Sequence, residues 1–260
     1  MACLPGADDL FGPAIRGCRH VFDFTLFFEQ SIFQIAPSAL LLLCLPLRAS
    51  QLRKQNAKTT RTKERAVKQT AIACYAATQL GLIIVWSTTP TYRTRAAIPA
   101  ALLSFLASVA LLLLSSVEHT KSVRPSTLIN AYLLFSLLLD IPQARTLWLR
   151  ESLPRSVPGI FTAGLAAKTC TLWLEARNKR RSLFTPYNVY APEALVGLYD
   201  RTVLWWLNPL FIQGYKSILS MDTLYRIDSG LSSERVEAQF RASWAKCAYI
   251  RFQVPCYTDK

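Results

Sequence analysis

The chain has 260 residues, 52% of them hydrophobic, with a formal net charge of +14 and seven cysteines. That length holds one or two ordinary domains, but the apolar residues are gathered in long uncharged runs rather than spread as a soluble core needs, which is the signature of membrane spans. The positive charge abuts those runs, where it sets topology and meets anionic headgroups; with no zinc-finger spacing and no RNA-binding aromatic motif, a nucleic-acid partner is excluded.

Residues 1–23 form a polar start, rich in glycine and proline, that reads as an irregular cap outside the membrane. It has no apolar stretch with a cleavage site, so the first span itself serves as the targeting element. Cys3 and Cys18 fall on the same side and either pair or stay free, while Cys44, Cys74 and Cys170 sit in apolar runs as small hydrophobes. The absence of a C-x-x-C pair argues against a metal site.

The first span is expected at 24–47, with Glu29 near its outer end and Pro37 as a kink. A basic loop from Ala49 to Gln69 leads to a second span at 70–89, a short turn at 91–95, and a third span at 96–117. The polar loop EHTKSVRP, 118–125, precedes a fourth span at 126–149 that carries Asp140, Pro142 and Arg145. A turn with two prolines precedes the fifth span, 157–174, which is the shortest and is interrupted by Lys168. At about 1.5 Å per residue, roughly 20 residues cross a hydrocarbon core of about 30 Å, so five spans fit. The expected fold is all-α: a polytopic, five-helix transmembrane bundle (24–174) followed by a cytoplasmic tail.

Charge assigns the sides. The loops after spans one, three and five hold 8, 2 and 4 Lys or Arg, while the N-terminal tail and the loops after spans two and four hold 2 each, 14 against 6. The first set is therefore expected in the cytoplasm, with the N-terminus outside and everything after Leu174 inside.

Asp140 and Arg145 are costly in lipid and need a protein partner or a route to the interface. Five residues apart, they are loose partners for each other. One reading is a substrate or proton path. The other is a helix–helix contact, with Arg145 snorkelling beside Trp148, and the lack of a chain of ionisable groups favours it. Glu29 and Lys168 read as span-end residues. The two histidines, His20 and His119, lie on opposite sides with no nucleophile or base nearby, and His119 reads as an interfacial loop residue, so no enzymatic centre is expected.

After the spans come a basic cluster, Arg177, Lys179, Arg180 and Arg181, and an aromatic run from Asp200 to Tyr225. Within that run, Trp205, Trp206, Asn208, Pro209, Leu210, Phe211 and Tyr215 combine large rings with a basic rim, which suits an amphipathic helix at a membrane–water interface. The basic cluster is placed to meet anionic lipid. The alternative for the run is a helix covered by the core of a soluble domain.

The order of these features resembles the N-terminal part of fungal ABC transporters of subfamily C, the multidrug-resistance-associated type. The resemblance is carried by FGPAIRGCRHVFDFTLFFEQSI at 11–32, SSVEHTKSVRPSTLINAYLLFSLLLDIPQARTLWL at 115–149, RTVLWWLNPLFIQGYKSILSMDTLY at 201–225 and LSSERVEAQF at 231–240. It implies an extra five-helix membrane domain followed by a cytoplasmic lasso linker, 175–244, docking on a transport core and the inner leaflet. Such transporters export conjugated anions, drugs or secondary metabolites at the expense of ATP, with the plasma membrane the first expected location and the vacuolar membrane the second.

This sequence departs from the family in having no G-x-x-x-x-G-K-[ST] phosphate loop and no LSGGQ-type signature, so no cofactor is expected on it, and ATP and magnesium would act only through nucleotide-binding domains it lacks. The tail 245–260 leaves the family pattern after Trp244, as a truncated or mis-spliced gene would. The alternatives to an exporter fragment are a stand-alone membrane anchor or regulator for a separate transporter core, and a non-functional remnant.

Overall fold

The computed structural model describes residues 7–12, 23–54, 63–122, 125–150, 153–177, 192–220, 224–225 and a few positions between 233 and 244. Cys3, Cys18, His20, Lys179, Arg180, Arg181 and the tail 245–260 lie outside them. Among the described residues every regular element is helical. Five are long: α1 (Leu26–Arg53), α2 (Lys63–Thr88), α3 (Ala97–Lys121), α4 (Thr127–Leu149) and α5 (Ser156–Ala176). Shorter helices follow: α6 (Pro192–Leu195), α7 (Leu198–Thr202) and α8 (Asn208–Lys216).

Helices α1 to α4 are long and apolar enough to cross a membrane. Helix α5, with 21 residues, is long enough but carries Lys168 within its apolar run. Cross-helix bonds show how the five run. At one end Arg48 meets Glu118, Lys68 meets Glu175, and Gln69 Nε2 donates to the Leu112 carbonyl. At the other, Thr94 donates to Gln30 and Thr146 to Glu29. Each long helix therefore reverses the direction of the one before it, and α5 spans the same two ends as the rest.

Local sequence accounts for the helix starts. Thr25 accepts from the Phe28 amide and Ser126 from the Ile129 amide, satisfying donors that the first turn leaves open. Within α1 the turns Glu29–Ile35 widen into a π-helix just before Pro37. Proline has no N–H and its ring crowds the preceding turn, and a wider turn accommodates it. The expected kink is thus a change of helix type rather than a break.

Helix α3 buries a stripe of small residues, Ala97, Ala100, Ala101, Ser104, Ala107 and Ser108, which lets neighbouring backbones approach closely. Gly164 does the same for α5, since a Cβ there would lie 3.0 Å from the Thr78 hydroxyl of α2. Two apolar clusters result. One, around Leu82, Trp86, Val157 and Phe161, lies toward the end where Thr94 and Thr146 sit. The other, around Ile72, Leu111, Ile129 and Leu133, lies toward the end bearing Arg48 and Lys68.

The start of α2 and the end of α3 differ from expectation. Helices α2 and α3 extend into what reads as basic and polar loop, from Lys63 and to Lys121, because Lys68, Glu118 and His119 turn inward and are buried. His119 is thus a helix residue inside the bundle, not an interfacial loop residue.

Candidate functional site

Between the two apolar clusters lies a polar layer to which all five long helices contribute. Lys168 of α5 and Asp140 of α4 form a buried ion pair, 3% and 7% exposed. The Lys168 ammonium also lies 5.3 Å from the centre of the Tyr75 ring of α2, a cation–π contact. Gln34 and Ser38 of α1, Gln79 of α2 and Ser104 of α3 line a small cavity beside the pair. Gln34 Oε1 accepts from Gln143 Nε2 at 3.2 Å, joining α1 to α4. An isolated Lys at mid-membrane costs roughly 2.5–3.5 kcal/mol on insertion scales, and pairing is what offsets it.

Asp140 and Arg145 are not partners. Arg145 donates to Asp23 at 2.6 Å at the far end of α4, with 60% of its side chain exposed. About 1.4 turns of helix separate the two residues by angle as well as height, so they face different neighbours. Lys168 is not a span-end residue but lies buried within α5; Glu29 does lie near the start of α1, yet it too is buried and accepts from the Thr146 hydroxyl at 2.7 Å. Their partners lie 28 and 117 residues away in sequence, out of reach of any local spacing rule.

The N-terminal segment closes the Asp23 end. Asp9 pairs with Arg95 and Asp8 with Arg150, so one short turn, Ala7–Asp9, bridges the α2–α3 connection and the end of α4.

The opposite, basic end holds a second buried polar cluster. Glu175 accepts from Lys68 Nζ at 3.1 Å and from the Ser115 hydroxyl, tying α5 to α2 and α3. Asn130 Nδ2 donates to the Ser126 carbonyl at 2.7 Å. On this cluster sits the chain that follows the bundle. Leu195 and Val196 are buried, Gly197 lies against the Ala176 carbonyl and Pro125, and the Tyr199 hydroxyl donates to the Asn130 carbonyl at 2.9 Å. Burial raises the Tyr199 pKa above its ordinary value. Leu195–Tyr199 carries no motif in the sequence; its one signal is a small residue, Gly197, between apolar neighbours and a tyrosine.

The aromatic run comes next. Leu204 takes a left-handed conformation, φ 56°, and a turn at Trp205–Leu207 leads into α8. Trp205, Phe211 and Tyr215 are exposed, as is Pro209. Trp206, Asn208 and Leu210 are half-buried, with the Trp206 ring tilted against Tyr225 at 6.2 Å. The run thus presents an apolar face that the described residues leave open. Arg177, of the basic cluster, stacks over the exposed Trp173 ring at 5.1 Å.

A family model described as the ABC transporter TMD0 domain matches residues 11–161. The ABC multidrug transporter lscH of Purpureocillium lilacinum is 36% identical over 243 residues, covering 92% of this chain and 16% of the relative. The ABC multidrug transporter B of Aspergillus fumigatus is 36% identical over 248 residues, covering 95% of this chain and 17% of its own length. The ABC transporter ecdL of Aspergillus rugulosus is 35% identical over 238 residues, covering 92% and 14%. The chain therefore spans about a sixth of the length of the curated relatives it matches.

Proposed function

The chain belongs to the TMD0-domain family of ABC transporters, and from that membership we propose that it serves as the N-terminal membrane module and linker of an exporter of drugs, conjugated anions or secondary metabolites. It is a multi-pass membrane domain that sits in a lipid bilayer. In this reading α5 is a fifth span, since it runs between the same two ends as the other four. The basic end faces the cytoplasm, in keeping with the 14-to-6 division of Lys and Arg between the two sets of loops. The plasma membrane is the first expected location and the vacuolar membrane the second.

The observation that carries the reading is the seat of Leu195–Tyr199 on the basic end of the bundle. Beyond it Trp205, Phe211 and Tyr215 are exposed and open to a further surface. That surface is the inner leaflet and a transport core. The sequence contains no phosphate loop, so the module binds and positions and performs no catalytic step; ATP would act elsewhere in the transporter.

Two measurements test this. Sequencing the transcript past the codon for Lys260 should read through into further spans and a phosphate loop. An immediate stop codon supports the second reading, a stand-alone anchor for a separate core. A benzoylphenylalanine at position 215 should crosslink to lipid or to a transporter core on irradiation; recovery of neither would sink the docking role of the aromatic run.

A further inference from the structure

The polar layer contains an acceptor that the protein leaves without a donor. Gln79 is 5% exposed, and its Oε1 has no hydrogen-bond partner among the described residues. It belongs to the wall of the axial cavity that also includes Gln34, Ser38, Ser104 and the Asp140–Lys168 pair. A buried amide oxygen left without a donor costs on the order of 1–3 kcal/mol, and the hydrocarbon around the bundle supplies no water to relieve it. The cavity has room for about one water molecule.

We propose that this cavity is an internal water site at the level of the Asp140–Lys168 pair. The ligand class follows from the wall. An apolar ligand would strand Gln79, Gln34 and the serine hydroxyls, and a cation would meet the Lys168 ammonium. Water alone both donates and accepts. It donates to Gln79 Oε1, and the serine hydroxyls and the Asp140 carboxylate supply the two further partners that a buried water needs. The π-helical turns Glu29–Ile35 shape the site from α1, because they carry Phe33 and Gln34 into its wall. The water links Gln79 of α2 to Asp140 of α4 and to a serine hydroxyl, and raises the local polarity around the ion pair.

X-ray radiolytic footprinting of the intact chain in lipid nanodiscs tests this, because a bound water is activated in place and oxidises the side chains it touches. Tyr75 and Tyr132, 2% and 9% exposed, line the cavity and should be oxidised several-fold faster than Trp86, 4% exposed, which packs in the apolar cluster away from it. Transfer into oxygen-18 water should label Tyr75 more slowly than the exposed Tyr215. Gln79→Leu, checked for helicity and monodispersity, should bring Tyr75 oxidation down to the Trp86 rate. Oxidation of Tyr75 and Tyr132 no faster than Trp86 overturns the proposal, as does an unchanged rate in a folded Gln79→Leu protein. Should that variant not fold, the wild-type comparison alone decides.

Discussion

Asp140 and Lys168 each need the other more than the protein needs the pair. Removing one partner strands a charge in a buried site, which costs about 3–5 kcal/mol, whereas replacing both with apolar residues of similar size is often neutral or stabilising. Asp140→Leu and Lys168→Met should therefore each lower the melting temperature of the chain in detergent markedly, and the double variant should recover most of the loss. A double variant as unstable as the singles would mean that the pair itself, rather than the avoidance of a lone charge, holds α4 to α5. At this scale the sequence was informative about residue type and silent about partners. Asp140 announced itself as an intramembrane charge, but Lys168 was 28 residues away, and only the antiparallel packing of α4 on α5 brings the two together.

Helices were legible where the apolar run was long, and their ends were not. Lys68, Glu118 and His119 look like loop residues because they are polar; they are helical because each is buried among the other helices at the basic end. The linker seat was illegible for a related reason, as its few apolar residues gain meaning only from the surface prepared by Pro125, Asn130 and Ala176. Close approach at that seat makes two predictions. Gly197→Val would press a branched side chain into the Ala176 carbonyl, 3.2 Å from a Cβ at 197, so amides of 195–202 should exchange hydrogen much faster with the bundle unchanged. Tyr199→Phe removes one hydrogen bond, a loss of about 0.5–1.5 kcal/mol, and should raise exchange there more modestly. Because burial raises the Tyr199 pKa, docking favours the protonated phenol. Its contribution is fully present below the phenol's ordinary pKa of about 10 and falls as pH rises through the docked value. Protection of the amides of 195–202, taken as their exchange relative to the intrinsic rate at each pH, should therefore be constant through neutral pH and fall in the alkaline range only while Tyr199 is present.

The side of the membrane on which the linker emerges depends on whether α5 crosses, and α5 is the long helix whose composition does not guarantee it. Helices α1 to α4 are apolar enough by themselves; α5 carries Lys168 in mid-run. Chain order resolves the difficulty. In the five-span proposal Asp140 would enter with α4 before Lys168 is made, so that α5 would meet a counter-ion already in place and the two would insert as an antiparallel hairpin. Without Asp140 the penalty for Lys168 is roughly 2.5–3.5 kcal/mol on insertion scales, enough to shift a marginal span. The sequence has no Asn-x-Ser/Thr acceptor, so one introduced just after Arg181 reports the location of the linker without background. In the parent chain it should stay unglycosylated, with the linker in the cytoplasm. In Asp140→Leu a substantial fraction should become glycosylated, because four crossings leave the linker on the luminal side. Adding Lys168→Met should restore the unmodified form. Glycosylation of the parent would overturn the cytoplasmic placement of the linker, whether by a reversed bundle or because α5 does not cross, and an unmodified Asp140→Leu protein would show that α5 inserts without its partner, driven by the apolar residues on either side of Lys168.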